Sequence, residues 1–515
     1  MKNTVTILIA LLFVPPAALH AADVPTHPNI LFIMVDEMKW NVMGCAGHEI
    51  VKTPHLDQLA REGTRFATAY TVAAICVPSR YSAFTSRYAH VHGSTDNSTP
   101  IRAPQLILPS ILKHAGYQTA IAGKLHFIRP NNVDYGFDFF WSYADEGPGK
   151  LPTWPRDLEK KYGRAGARRL DPRPFPDDAL GKDLGRNAYP KEDSQTFWIT
   201  ARAVDFLDQR NKDAPFFLFV SYLDPHSPSH LSAPYWNMYD AAKMPLPPTF
   251  RVDPAKPAVS AANRHEVNNP EIVKAMTAAY YAKVTMIDDN IGRLLDELAK
   301  RNLADNTLVI FTADHGNMLG DHNRWFKGVM YDGSSRIPLL MKAPPAGSFR
   351  STFNRGAVVS RIVENIDIMP TVCEIAGVPL PEEGIQGRSM TGLVAGRDPD
   401  WKDRAFSERG SSMIRTPRYK LICNDRKTAR EHGDYELYDM AKDPMETTNL
   451  ASDPGHAEVL KDLLAKHESW QKDIPPVPAI PGVAPEPRSG ITPDAEKPAK
   501  ARRNRSAGNA EPSTK

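Results

Sequence analysis

From Asn29 the chain runs Ile30-Leu31-Phe32-Ile33-Met34-Val35 without a polar break and then meets Asp36-Glu37. An unbroken apolar run bounded by polar residues predicts a strand buried on both faces. Similar runs return at Thr119–Gly123, Pro215–Tyr222 and Thr307–Thr312, each followed by charged or histidine-bearing sequence. Between them the apolar spacing becomes helical. Pro54–Gly63 opens on proline and closes on glycine, and Leu106–Ala115, Thr196–Gln209 and Pro270–Arg301 are further predicted helices. In the last of these, Ala278, Tyr281, Val284, Ile287, Ile291 and Leu294 form one apolar stripe, which predicts packing and no chemistry.

This alternation predicts an α/β fold with a large, doubly wound, mostly parallel sheet sandwiched by helices. Ligands of such sheets bind beyond the carboxyl ends of the strands, where the polar residues noted above fall. Arg336–Pro344 and Val363–Thr371 complete the main layer. After Gln386-Gly387-Arg388-Ser389 come short strands near Ala405–Ser407, Met413–Arg415, Tyr419–Ile422 and Glu436–Asp439, then a helix from Ala457 to Trp470. They predict a smaller C-terminal unit. The chain thus divides into a leader (1–22), a main domain (23–395), a C-terminal α+β unit (396–472) and a Pro-, Ala- and Lys-rich tail (473–515), expected to be disordered. Residues 137–195, rich in Pro, Gly, Arg and Trp, are expected to be irregular and to shape a pocket.

Composition changes this picture little. A net charge of +3 over 515 residues gives no basis for a nucleic-acid partner. Four cysteines, Cys45, Cys76, Cys373 and Cys423, are too few for a disulfide scaffold, and pairing of the last two stays open. The N-terminus is more informative. Lys2, an apolar run from Val5 to Val14 and an Ala-rich stretch to Ala22 read as a secretory signal, too short to span a bilayer. The mature protein is expected to be exported, periplasmic or secreted, without stable membrane insertion.

The chemistry gathers around Ile75-Cys76-Val77-Pro78-Ser79-Arg80. Pro78 suits a first helical turn, which puts Cys76 at a helix N-terminus, where an anion is favoured. Arg80 adds a fork of donors for an oxyanion. The layout suggests a nucleophile that meets an anionic substrate, although a lone cysteine there is more often an inert core thiol. The adjacent carboxylates Asp36-Glu37 need a cation or a shared proton unless they are exposed acids that cap a strand, and with Asp314-His315 they make an oxygen-rich set for one divalent ion, Ca²⁺ or Mg²⁺. Lys124, His126 and His226 follow other strand ends.

The C-x-P-S-R run resembles the signature of the type I, formylglycine-dependent sulfatases of the alkaline phosphatase-like superfamily. Gly123-Lys124-Leu125-His126, Asp314-His315, the helix from Ala278 and Arg336-Ile337-Pro338-Leu339 resemble further elements in that family's order, over residues 27–472. Two positions depart from the pattern: Glu37 replaces a commoner aspartate, and Ser86 replaces the glycine of the signature's second half. The resemblance implies that Cys76 is converted to Cα-formylglycine (3-oxoalanine) by a formylglycine-generating enzyme. It implies metal ligation by Asp36, Glu37, Asp314, His315 and residue 76. Arg80, Lys124, His126, His226 and Lys327 become catalytic candidates. Lys124, His226, Lys327 and His322 become substrate-binding candidates. The implied activity is hydrolysis of a sulfate ester on a carbohydrate, with oligomeric state left open. Two alternatives remain: a phosphonate monoester or phosphodiester hydrolase of the same superfamily, and a sulfoglycan-binding protein without catalysis.

Overall fold

The computed structural model describes residues 27–474, apart from 103–105, 128–134, 143–152, 168–169, 172–183, 255–265, 345–352, 354 and 382–383. The expected leader, the expected disordered tail beyond residue 474 and parts of the 137–195 segment lie outside the described residues.

Eight strands form the main sheet: β1 (Asn29–Asp36), β2 (Thr64–Phe66), β3 (Gln118–Gly123), β4 (Phe139–Ser142), β5 (Phe216–Pro225), β6 (Thr307–Ala313), β7 (Leu339–Lys342) and β8 (Ala357–Val359). Their spatial order is β8-β2-β7-β6-β1-β5-β3-β4. Only β7 runs against its neighbours. The registers of the central strands are level: Val35 stands opposite Ala313 on one side and Tyr222 on the other, and Gly123 opposite Ser221. Residues that follow β1, β3, β5 and β6 therefore emerge along one edge of four adjacent strands. The ladder shifts between Val35 and Asp36, a bulge that re-aims the chain as it enters that edge.

Both faces of the sheet are covered. Helices α1 (Pro54–Glu62), α4 (Gln195–Gln209) and α5 (Pro270–Lys300) pack together, as do α2 (Cys76–Thr85), α3 (Leu108–His114) and α6 (Ile368–Ala376). Hence β1 is buried along its whole length, as its unbroken apolar run requires. Predicted and observed elements differ by a few residues at their ends. The larger difference is in 137–195, read from sequence as irregular. Its Phe139-Phe140-Trp141 stretch pairs with β3 as an edge strand, and Trp154–Ala167 is helical with a break at Gly163. Aromatic residues favour strand pairing where a neighbouring edge is open.

The C-terminal strands β9 (Ala405–Arg409), β10 (Ser411–Arg415), β11 (Tyr419–Cys423) and β12 (Tyr435–Asp439) form an antiparallel sheet in chain order. Helix α7 (Ala457–Asp473) closes it, with Trp470 stacked on Phe406 at 4.5 Å between centroids. This sheet is keyed to the main layer by the fully buried Lys420, which donates to Asp332 Oδ1 at 2.9 Å and to Glu446 Oε1 at 2.6 Å. Tyr70 donates to the same Asp332 oxygen at 2.7 Å. None of the four cysteines is joined in a disulfide, so Cys373 and Cys423 do not pair.

Candidate active site

At the edge of the central strands, β1 delivers Asp36 and Glu37, β3 delivers Lys124, β5 delivers His226 and β6 delivers Asp314 and His315. Helix α2 begins at Cys76 and points its first turn at them. Cys76 Sγ lies 3.1 Å from His315 Nε2 and 3.7 Å from Asp36 Oδ1. Arg80, one turn along α2, donates from Nε to Asp314 Oδ2 at 2.8 Å and sits 3.5 Å from Asp36 Oδ2. Its third nitrogen bonds the Lys124 carbonyl and Ser221 Oγ, both at 2.9 Å. The Lys124 ammonium donates to Asp36 Oδ2. Gly123 makes this crossing possible: at φ 114 a Cβ there would fall 1.9 Å from the Ser221 carbonyl oxygen, which accepts the Lys124 N–H.

Glu37 holds a left-handed conformation at φ 70, costly for a non-glycine residue by about 1–3 kcal/mol. Two bonds fix it there: its N–H donates to Asp314 Oδ1 at 3.0 Å, and Tyr280 donates to its carbonyl at 2.6 Å. The turned side chain accepts from Asn317 Nδ2 and Lys327 Nζ, each at 2.9 Å, with His226 Nε2 at 3.3 Å.

The possible ligand atoms fall into two groups that share Asp36. Asp36, Cys76, Asp314 and His315 offer atoms within 4.8 Å of one another, all from buried residues; Asp36, Glu37 and His226 make the second group. Two carboxylates, an imidazole and residue 76 fit a divalent cation, with oxygen donors that favour a hard ion. Three buried carboxylates (Asp36, Glu37, Asp314) face three cations (Arg80, Lys124, Lys327), so an added divalent ion leaves positive charge for an anionic substrate.

These fields shift the ionisable groups. Burial pushes Asp36 up, but the surrounding charges, Lys124 foremost, hold it well below the usual carboxylate range. Burial wins at Glu37, raised to about 7 against the pull of Lys327. Burial and Asp36 raise the Cys76 thiol, yet Lys327, Lys124 and His315 bring it below its ordinary value. Burial lowers His315, and Asp314 with Cys76 raises it to about 9. His226 is held well below the ordinary histidine value by burial and then by Lys327.

Two candidates stand apart from the two groups. His126 follows Lys124 in the left-handed region, at φ 54 and partly buried. His322 lines a separate cavity of about 660 Å³, stacked on Tyr331 at 4.4 Å and bonded to the Met445 carbonyl at 3.1 Å.

Sequence reasoning missed five supporting side chains. Ser79 donates to the Asp314 carbonyl, Asn317 holds Glu37, and Asn97 accepts the Val77 N–H at 3.0 Å. The fourth, Tyr280, belongs to the helix read as packing alone, and its neighbour Lys283 also donates to the His226 carbonyl at 2.6 Å. Ser79 and Asn317 sit inside or beside the motifs and were findable; Tyr280 was hidden in a helix read as packing, outside its named apolar stripe.

A level edge of parallel strands that meets a helix-borne nucleophile candidate, acids and fixed cations defines a hydrolase of the alkaline phosphatase-like type. Residues 28–378 match the sulfatase family model, and residues 320–473 match the model described as N-sulphoglucosamine sulphohydrolase, C-terminal. The chain is 30% identical to an arylsulfatase of Clostridium perfringens, over 86% of this chain and 96% of that protein. It is 28% identical to an N-acetylglucosamine-6-O-sulfatase of Bacteroides thetaiotaomicron, over 91% of each. The crystal structure of a phosphonate monoester hydrolase of Agrobacterium radiobacter superposes with TM-score 0.71 at 26% identity, over 87% of this chain and 96% of that one. The chain belongs to the sulfatase family, and its activity is sulfate ester hydrolysis.

Proposed function

We propose that this sulfatase removes sulfate from a carbohydrate, acts after export, and carries residue 76 as Cα-formylglycine. The observation that supports it most is the grouping of Asp36, Cys76, Asp314 and His315 within 4.8 Å, flanked by Arg80 and Lys124. A sugar substrate is supported by the N-acetylglucosamine-6-O-sulfatase relative. Export rests on the leader-like N-terminus; among the described residues no helix is long and apolar enough to cross a membrane. The division into a main domain to residue 395 and a C-terminal unit from 396 is part of the same reading.

Asp36, Asp314, His315 and residue 76, with Glu37 alongside, would hold a divalent cation, Ca²⁺ or Mg²⁺. When bound, such an ion supplies charge against the sulfate oxygens and lowers the pKa of an adjacent hydroxyl. As a formylglycine hydrate, residue 76 would supply the attacking oxygen and a second hydroxyl through which the aldehyde reforms and sulfate leaves, an exit that a thiol or serine lacks. Arg80 fixes both carboxylates and so the direction of attack. Lys124 and Lys327 place positive charge where the transferring group gathers negative charge. His226, 3.3 Å from Glu37, or Lys327 would assist the departing alcohol oxygen. His126 stays a catalytic candidate two residues after Lys124, and His322, which lines the separate cavity, is given no role at the reacting sulfate. Because Cys76 is only 1% exposed, the formylglycine-generating enzyme must reach it before the chain folds.

The test is sulfate release from a panel of defined sulfated saccharides, with an aryl phosphonate beside it. Turnover of a sulfated sugar above all others supports the proposal. Preference for the phosphonate favours the second reading, to which the phosphonate hydrolase superposition gives weight. Saccharide binding without turnover, with residue 76 unconverted, would indicate a sulfoglycan-binding protein.

A further inference from the structure

A cavity of about 520 Å³, a size that suits a small ligand, opens between Lys327 and the C-terminal sheet. Its inner end adjoins the reaction centre. Lys327, on its wall, bonds Glu37, and Thr95 and Asp96 in the lining immediately precede Asn97, which holds the N–H of Val77. Its outer wall includes the β9–β10 turn with Arg409.

Most charges in this lining are already engaged. Glu436 accepts from Tyr331 and Tyr438, and Asp425 accepts the N–H groups of Lys427 and Thr428. Arg324 bonds His432 at 3.3 Å and lies 4.0 Å from Glu431. Arg409 differs. Among the described residues its half-buried guanidinium donates once, to the Gly328 carbonyl at 3.2 Å, and no carboxylate of theirs lies within 4.0 Å of it. A guanidinium has five N–H donors in a planar fork, so the rest are available to a ligand in the cavity. Its position is defined by Gly328, at φ 91, where a Cβ would fall 1.8 Å from an Arg409 nitrogen. The guanidinium therefore lies against the backbone that carries Lys327. Burial lowers its pKa, and the charges of residue 76, Asp96 and Asp425 oppose this only from a distance.

We propose that Arg409 is a specificity-determining residue of this sulfatase, which recognises a second anionic group, sulfate or carboxylate, on the saccharide whose ester is cleaved. This rests on the carbohydrate reading above. Lys327 would face the reacting sulfate, and Arg409 a further anion on the same molecule, taken by paired charge-assisted hydrogen bonds.

The test uses the full chain, 4-nitrophenyl sulfate as reporter and three competing sugars. These are a hexosamine 6-O-sulfate, its N-sulfated disulfate and a monosulfated disaccharide with a uronate carboxylate. In the wild type, at least one of the two doubly anionic sugars should inhibit about tenfold or more better than the monosulfate, and which one does so identifies the second group. Arg409→Gln should collapse that ratio, and Arg409→Lys, which keeps charge without the fork, should retain part of it. Equal inhibition by all three sugars, or an unchanged ratio in Arg409→Gln, overturns the proposal. No inhibition by any sugar overturns it together with the carbohydrate reading. If Arg409→Gln fails to fold, the Arg409→Lys ratio decides: a value equal to the wild type's contradicts recognition by the fork.

Discussion

Cys76 Sγ stands 3.1 Å from His315 Nε2, across 239 residues of chain. The contact joins the first residue of α2 to the second residue after the central strand β6, and Asp36 at the end of β1 reaches both side chains. Left without a cation, this arrangement packs acids against acids in a buried place. Bonds from Arg80 and Lys124 offset part of that repulsion, as their ion pairs with Asp36 and Asp314 show.

Metal removal should therefore be costly twice over. Prolonged treatment with a chelator is expected to abolish sulfate release and lower the melting temperature, and Ca²⁺ or Mg²⁺ should restore both. An ion at a hundred times its Kd adds about 2.7 kcal/mol to stability. Full activity in protein shown by elemental analysis to be metal-free would contradict the ligand assignment.

Asn317 touches Glu37 and none of the other ligand candidates through its amide, at 2.9 Å. Asn317→Ala should weaken metal affinity or activity by about 10–100-fold, the usual effect of losing a group that orients a ligand. Metal titration followed by activity checks this; an unchanged titration would mean that Glu37 needs no such support.

How far the sequence foretold this site depended on range. The strand ends were readable because buried parallel strands leave unbroken apolar runs, and Asp36, Asp314 and His226 sit directly after them. The C-terminal sheet was legible from its short β-rich segments. What could not be read was cross-chain. Tyr280 fixes Glu37 from a helix read as packing, and Lys420 bonds two acids from within a strand. Nor does periodicity reveal that Glu37 turns to φ 70 and joins His226, leaving the other four ligand candidates as a group of their own. The edge strand β4 was missed because its aromatic residues lie within a Pro- and Gly-rich segment.

His92 should contribute to acid sensitivity. It is fully buried, accepts the Ser94 N–H at Nδ1 and bonds Ser82 Oγ through Nε2, and burial lowers its pKa to about 3. The unfolded chain binds this proton near the ordinary histidine value of about 6.5. Its stabilisation is thus complete above that pH and is lost progressively as pH falls towards 3, by about 1.4 kcal/mol per pH unit. His92→Gln should be less stable at pH 7 but lose stability less steeply between pH 6.5 and 4.5. Parallel acid limbs in urea unfolding would assign the sensitivity elsewhere.

Lys420→Met leaves Asp332 and Glu446 buried beside an apolar side chain. Removing one partner of a buried ion pair costs about 3–5 kcal/mol, so the midpoint of denaturant unfolding should fall markedly. Adding Asp332→Asn and Glu446→Gln should recover part of the loss, because those acids then need no counter-charge. Loss under about 1 kcal/mol, the range of exposed pairs, would show that the seam between the two sheets does not depend on Lys420.

The most direct test of the whole account is at residue 76. The peptide that contains it, isolated from active wild-type protein, should have the mass of formylglycine, and Cys76→Ala and Cys76→Ser should fold yet release almost no sulfate. An unconverted cysteine in fully active enzyme, or near-normal turnover by either variant, would contradict it.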